Sequence, residues 1–309
     1  MPELPDVTVY IECLERRLVG QALQEVRIKG PFLLRTASPP LASLHGKRIQ
    51  GFRRIGKRIV FAFEDDLFAV LHLMIAGRLR YKPSGAGIPG KIGVAAFDFP
   101  DATLLLTEAS SQKRASLHLV HGEGALAALD PGGLEVMTCA ADAFAAAVSR
   151  ENRTLKRALT DPRILSGIGN AYSDEILHRA RLSPVKRTRG LSQPELTRLF
   201  DATRAVLTEW TDRLRAEAGE GFPEKVTAFR DGMAVHGRYR KPCPDCGHDV
   251  QRIVYAKNET NYCATCQTSG KLLADRALSR LLKDDWPRTA TELEERLTSR
   301  RPETRDPPE

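Results

Sequence analysis

No stretch of the 309-residue sequence is apolar for long enough to cross a bilayer, and the N-terminus lacks a basic start leading into an apolar signal segment. The cytoplasm is therefore the expected compartment, and no membrane partner is expected. Internal repeats are absent as well. Cysteine is scarce, at six residues, and in a cytoplasmic chain these are not expected to form a disulfide framework. Acidic residues do not dominate: 47 Lys and Arg against 39 Asp and Glu leave a net charge of +8 and a pI near 9.3. Such a balance favours polyanionic partners without proving one. With 42% apolar residues the chain can bury real cores, and its length suggests two domains with room for a small third.

Residues 5–18 carry Val7, Tyr10, Ile11, Leu14 and Leu18 at helical spacing, with Gly20 positioned to end the helix. From residue 24 to about 120 the period changes to two. Runs at 24–28, 48–54, 58–64, 67–73, 92–99 and 103–107 predict strands, and many short strands separated by turns imply a sandwich or barrel. Glu64-Asp65-Asp66 reads as a hairpin turn, and Pro83 to Gly90 as a surface loop. Between residues 47 and 58 lie six cations with no acidic residue among them. Such a run can simply be a solvated strand face, but Lys57 follows Gly56 at a turn, from which it can reach a phosphate or a sugar. Residues 121–133 have the composition of a linker, and the chain beyond it to about 218 reads as helical, with helices predicted over 140–149, 151–160, 170–180 and 192–217. The last opens with Ser192 and Glu195 at capping-box spacing.

Between the second and third of these helices, Gly167-Ile168-Gly169 makes a tight turn. Its amides, with the N-terminus of the following helix, can hold a phosphate, although such turns often only reverse a chain. Residues 150–189 contain ten Lys or Arg against four Asp or Glu, which favours the phosphate.

Four of the cysteines form two CxxC pairs, Cys243/Cys246 and Cys263/Cys266, separated by sixteen residues. Two such knuckles complete a tetrahedron of thiolates, so one structural Zn²⁺ with no open coordination position is expected. The β-rich residues between the pairs predict a hairpin joining them, and His248 is a further donor only by proximity. Cys13 and Cys139, in apolar contexts with helical patterning, are expected to be buried small hydrophobes.

The first residues, Met1-Pro2-Glu3-Leu4-Pro5-Asp6, admit a chemical reading. Removal of Met1 would leave Pro2 as a free secondary amine beside the Glu3 carboxylate. An α-amino group titrates near about 8, so a modest downward shift would leave it unprotonated and nucleophilic at neutral pH. The alternative is that the two prolines merely open a helix.

Taken together, MPELPD at the terminus, IGK with Lys57, HLMIAGRLR at 72–80, SGIGNAYSDE at 166–175, VHGR at 235–238 and the four-cysteine finger resemble the formamidopyrimidine-DNA glycosylase and endonuclease VIII family over residues 1–268. The resemblance implies an α+β multidomain fold: an N-terminal β-sandwich with an N-terminal helix over 1–125, a helix-two-turn-helix domain over 134–225, and a zinc-finger β-hairpin over 235–268. It implies a monomeric, bacterial-type, nucleoid-associated base-excision-repair enzyme acting on damaged double-stranded DNA, a DNA glycosylase with AP lyase activity. Pro2 would attack C1′ of the damaged nucleotide, expel the base and form an iminium (Schiff-base) intermediate, followed by β-elimination and in some members δ-elimination. Glu3 would shuttle protons at the sugar, Lys57 would contact phosphate and assist elimination, and Glu175 would help organise the sugar. Asn170 would bind phosphate, while Lys91, Arg252 and Lys257 would be further DNA contacts.

The sequence departs from the family in four places. The family fills the gap left by an extruded base with an arginine and an aromatic, whereas residues 107–116 hold no aromatic; Arg114 or Lys113 would take the arginine's place, with Met74 or Ile75 as apolar wedge. Asn258 stands where the finger commonly carries an arginine, which bears on δ-elimination. The segment between Val226 and Val235 is short, so no preference for 8-oxoguanine is assigned. Residues 269–309 extend beyond the usual end, with nine basic and nine acidic residues. Leu272, Leu273, Ala277, Leu278, Leu281 and Leu282 predict a helix packing back on the core or meeting a partner, before a charged, Pro-containing end expected to be disordered. A competing expectation is a non-catalytic, zinc-containing protein that binds damaged DNA.

Overall fold

The alternation of period two folds into two four-stranded antiparallel sheets in the computed structural model of the chain, which describes residues 1–224, 226–255, 258–274, 287–289, 291–293 and 295. Helix α1 (Leu4–Leu18) comes first, with Pro5 in its opening turn where a missing N–H costs no hydrogen bond. Strands β1 (Glu25–Ile28), β2 (Ile49–Ile55), β3 (Arg58–Phe63), β4 (Leu67–His72), β5 (Gly77–Pro83), β6 (Gly93–Asp98), β7 (Ala102–Glu108) and β8 (Ser116–His121) follow. One sheet has the order β1-β6-β7-β5 and the other β2-β3-β4-β8.

The two sheets share a core with α1. Phe61 and Phe97 stack with ring centroids 5.6 Å apart, Phe52 meets Phe61 edge-on, and Val7, Tyr10, Leu14 and Leu18 of α1 join the same cluster. Each fully buried side chain of this size contributes roughly 1.5–3 kcal/mol, so α1 is held by packing rather than by its own propensity. That fixes the chain's first residues against the sandwich.

Two strands escaped the sequence reading. In β5 the alternation is Leu79 and Tyr81 against Arg78, Arg80 and Lys82, and in β8 histidines interrupt the apolar positions; both strands nevertheless bury one face. The expected linker contains helix α2 (Glu123–Ala127), because the second sheet has an apolar outer face. Val60, Ala62, Phe68, Val70 and Val120 are covered there by Leu126 and Leu129.

Helices α3 (Ala141–Ser149), α4 (Leu155–Thr160), α5 (Asn170–Arg179) and α6 (Gln193–Ala218) occupy the region read as helical. Helix α4 begins four residues later than expected, since Thr154 bridges to Arg187. The Ser192 amide donates to Glu195 Oε2 at 2.9 Å, as the capping spacing requires. Cys13 is buried in α1, whereas Cys139 lies half-buried ahead of α3 rather than within a helix. Last come the hairpin β9 (Val250–Tyr255) and β10 (Asn258–Cys263) and the short helix α7 (Ala264–Thr268). The expected combination of sandwich, helical domain and finger hairpin is the observed one.

The chain divides into two compact units. The first holds Met1–Val148, Leu159–Gly169 and Arg204–Ala228; the second holds Ser149–Ala158, Asn170–Thr203 and the described residues from Phe229 onward. Of the C-terminal extension, Leu272 and Leu273 pack with Tyr262, Ile253 and Leu293, and the Leu272 amide donates to Arg288 O at 2.9 Å. The helix expected through Ala277, Leu278, Leu281 and Leu282, and the charged end, lie outside the described residues.

Candidate active site and metal centre

In the first unit, the N-terminal residues close on the two-glycine turn. The Leu4 amide donates to Gly167 O at 2.9 Å, and the Gly169 amide donates to Glu3 Oε2 at 2.6 Å. Glycine is required at both positions. Gly167 has φ +81°, and a Cβ there would lie 2.8 Å from Leu4 Cβ; at Gly169 it would lie 2.5 Å from Glu3 Cδ. Glu3 is only 2% exposed and forms a reciprocal cap with Asp6, whose Oδ2 accepts the Glu3 amide at 2.9 Å.

Lys57, carried on the β2–β3 turn by Gly56 at φ +60°, donates from Nζ to Ile168 O at 3.0 Å. Burial lowers the pKa of its ammonium from the usual lysine value, with the Glu3 charge opposing that shift. The Met1 α-amino group is likewise held below its ordinary value. Burial is the main cause, Glu3 and Asp6 oppose it, and the Arg78 and Lys57 charges support it. Pro2 is buried in the same surroundings. Glu3 and Lys57 therefore meet at the turn, with Pro2 beside Glu3.

Four residues that fix this arrangement were not assigned a role from the sequence. Asp6 was legible, since an acid three residues after Glu3 is a capping spacing. Arg54, Glu135 and Ser166 form a network behind the turn: Arg54 pairs with Glu135 and reaches Ser166 Oγ at 3.1 Å, while Ser166 Oγ donates to Glu135 at 2.5 Å. No motif links those three positions.

The wedge candidates are also in this unit. Met74 adopts φ +53° in the turn before β5, and Ile75 is 58% exposed. The loop 108–115 is folded around the buried Glu108 carboxylate, which accepts the Arg114 amide at 2.9 Å and the Ala115 amide at 3.1 Å. The exposed Arg114 guanidinium donates to Gln112 Oε1 at 2.6 Å. Lys91 is exposed.

In the second unit, both oxygens of Glu175 are engaged by backbone: Ala234 N at 2.7 Å, Val235 N at 2.9 Å and His236 N at 2.9 Å. Its neighbour Asp174, fully buried, binds Lys156 Nζ at 2.5 Å, His236 Nδ1 at 2.7 Å and the Asn261 amide at 3.2 Å. Asn170, at the start of α5, donates from Nδ2 to Glu259 O at 2.8 Å. Arg252 pairs with Glu259 at 3.0 Å and lies over the Tyr239 ring at 4.3 Å. Lys257 lies outside the described residues.

The four sulfurs of Cys243, Cys246, Cys263 and Cys266 lie within 4.8 Å of one another, with the Cys246 and Cys263 sulfurs 3.4 Å apart. That donor set fits one tetrahedral Zn²⁺. His248 gives its backbone carbonyl to the Cys243 amide, at 2.8 Å, and its side chain hydrogen-bonds with Cys246; the His178 imidazole also reaches the cluster, with Nε2 3.3 Å from Cys243 Sγ. His178 sits one turn after Asp174 and Glu175 on α5, a placement that spacing alone did not mark.

Three family descriptions match this architecture in order: the formamidopyrimidine-DNA glycosylase N-terminal domain over residues 1–121, its H2TH domain over 129–214, and the zinc finger found in FPG and IleRS over 240–268. The chain belongs to the formamidopyrimidine-DNA glycosylase family. The formamidopyrimidine-DNA glycosylase of Thermus thermophilus is 31% identical over 296 residues, spanning 87% of this chain and 100% of that protein. An uncharacterised formamidopyrimidine-DNA glycosylase-like protein of Mycobacterium tuberculosis is 43% identical over 156 residues, 50% of this chain and 95% of its own. Among solved structures, Lactococcus lactis Fpg in complex with DNA containing an abasic site superposes with a TM-score of 0.76 at 25% identity, covering 86% of this chain and 99% of that one. MutM in complex with DNA containing carbocyclic 8-oxo-G gives 0.77 at 26%, covering 86% and 100%. The finger is thus a structural zinc site, and among the described residues no helix is long and apolar enough to cross a membrane.

Proposed function

We propose that the protein is a bifunctional DNA glycosylase and AP lyase that removes oxidised or ring-opened bases from duplex DNA, working as a monomer through the amine of Pro2. The observation that carries this reading is the buried N-terminus, where Pro2 and Glu3 follow a Met1 α-amine held below its ordinary pKa, and Glu3 and Lys57 both bond to the Gly167–Gly169 turn. Binding alone needs none of these groups together.

After removal of Met1, the unprotonated Pro2 nitrogen attacks C1′ of the damaged nucleotide. The N–C1′ bond forms as the glycosidic bond breaks, and the base leaves with that electron pair and takes up a proton. Glu3, fixed by the Gly169 amide, takes the proton from the alkylated Pro2 nitrogen and passes it to the ring oxygen; the C1′–O4′ bond breaks and the freed nitrogen lone pair completes an iminium. Loss of a C2′ proton then expels the 3′ phosphate by β-elimination. Lys57 lies close enough to the turn to hold a phosphate or assist this elimination. Glu175 holds the 234–236 segment by its backbone, and in this reading Asn170, Arg252 and Lys91 contact the DNA. An enzyme that acts on a base must extrude it, and such clamps supply the energy for that distortion. Zinc cross-links the finger and takes no part in the bond changes.

Borohydride trapping on an oligonucleotide with one abasic site tests this, using protein confirmed by mass spectrometry to lack Met1. A covalent adduct is expected, lost when the terminus is blocked. Absence of any adduct, with duplex binding and zinc intact, would replace the lyase with a non-catalytic binder of damaged DNA.

A further inference from the structure

Lys29, Lys91 and Lys113 come from three separate stretches of the first unit and surround one cavity of about 210 Å³. Leu33 and Val94 are among its apolar lining residues, and no acidic residue is among the described residues that line it. Two of the lysines bend over its rim: Lys29 Nζ donates to Gly90 O, while Lys113 Nζ donates to Glu108 O and lies 3.4 Å from Lys91 O. The fourth wall is Phe32, whose ring is 75% exposed, the largest exposure of any bulky apolar side chain among the described residues.

A lone exposed aromatic is ordinary, and a lysine cluster alone is a solvated surface. Their conjunction is not. The volume falls below the roughly 300 Å³ at which sites for drug-sized molecules begin, so the cavity suits a single flat ring rather than a larger ligand. Three lysines and, among the described lining residues, no acidic one favour an anion. A basic groove with an aromatic platform is the arrangement by which proteins hold unstacked nucleotides, the base on the ring and the phosphates on the cations. Lys113 belongs to the 107–116 stretch, which contains no aromatic residue, so the cavity places a ring beside that loop from another part of the chain.

We propose that the Lys29–Lys91–Lys113 cavity and the ring of Phe32 form a nucleotide subsite for bound DNA, in which Phe32 stacks on a base displaced from the helix and the lysines hold its flanking phosphates. This rests on the DNA reading above and adds a contact that the loop's own sequence cannot make.

The test measures binding to duplexes carrying a tetrahydrofuran abasic analogue, with 2-aminopurine opposite or beside it, over a range of salt. Phe32→Ala is expected to weaken lesion binding about tenfold and to lose the 2-aminopurine signal change; Phe32→Trp retains both and Phe32→Leu neither. Replacing all three lysines by alanine lowers the slope of log affinity against log salt by about 2. Exposure of these side chains leaves the fold unaffected. If wild-type protein binds the lesion duplex and the variants match it in affinity, slope and fluorescence, the subsite is wrong while the DNA reading stands. Failure of wild-type protein to bind removes both. A change of oligomeric state in Phe32→Ala without loss of DNA affinity overturns the subsite in favour of contact between copies of the chain.

Discussion

Glu3 and Glu175 are 2% and 6% exposed, and each is met by backbone N–H groups from a distant part of the chain. Their settings differ in what is left over. Glu3 takes the amides of Asp6 and Gly169 and keeps an amine and an ammonium beside it, both with lowered pKa values. Glu175 spends its carboxylate on three consecutive amides. Near it, a buried ion pair and four thiolates hold the second unit together. The first arrangement holds titratable groups in place while leaving them reactive, and the second turns polar groups into fixtures. One unit should therefore answer to protons and the other to metal.

The largest effect expected is from zinc. Structural sites of this kind are worth roughly 10–16 kcal/mol in isolated fingers, so chelation or Cys246→Ser should melt residues 235–268. Hydrogen exchange should show β9 and β10 losing protection while β3 and β4 keep theirs; simultaneous loss in both would end the contrast. Next, Glu175→Ala should cost roughly 3–5 kcal/mol, because three buried N–H groups lose their acceptor, and it should do so without abolishing borohydride trapping at Pro2. Denaturant titration beside the trapping assay separates the two. Gly169→Ala should cost about 1–3 kcal/mol by forcing a methyl group against Glu3, yet remove most trapping, so that stability and chemistry diverge in the opposite sense.

The smallest effect concerns His72, on β4. Burial, then the charges of Arg58, Lys57 and His118, lower its pKa to about 4. The folded state disfavours the proton, so the unfolded chain binds more protons between about pH 6.5 and 4. Stability should thus fall as pH drops through that window, by about 2 kcal/mol after allowing for partial exposure. Thermal melts of His72→Gln should be flatter over the same range; an unchanged profile would assign the acid sensitivity elsewhere.

Much of this was legible from local pattern. Helical spacing placed α1, alternation placed most strands, and two CxxC pairs placed the metal, because each signal lies within a few residues of its consequence. The pairing of Glu3 with Gly169, of Arg54 with Glu135 and Ser166, and of His178 with Cys243 joins positions 31 to 166 residues apart. Nothing in the chain between them encodes the distance. Strand β8 was missed for a related reason: His118 and His121 are polar by composition but sit in a strand whose other face is core. The helix α2 was missed because its cause is an apolar sheet face assembled from other strands.

The bond from the Gly169 amide to Glu3, with that from Leu4 to Gly167, also sets an order of events during synthesis. At about 5–20 residues per second, the ribosome needs roughly 10–30 s to add the residues between Glu3 and the turn. Until then these two bonds cannot form. On the chemistry proposed above, removal of Met1 is thereby set against docking of the turn: the contacts that hold Glu3 and Leu4 also close in the peptide bond whose cleavage would free the Pro2 amine.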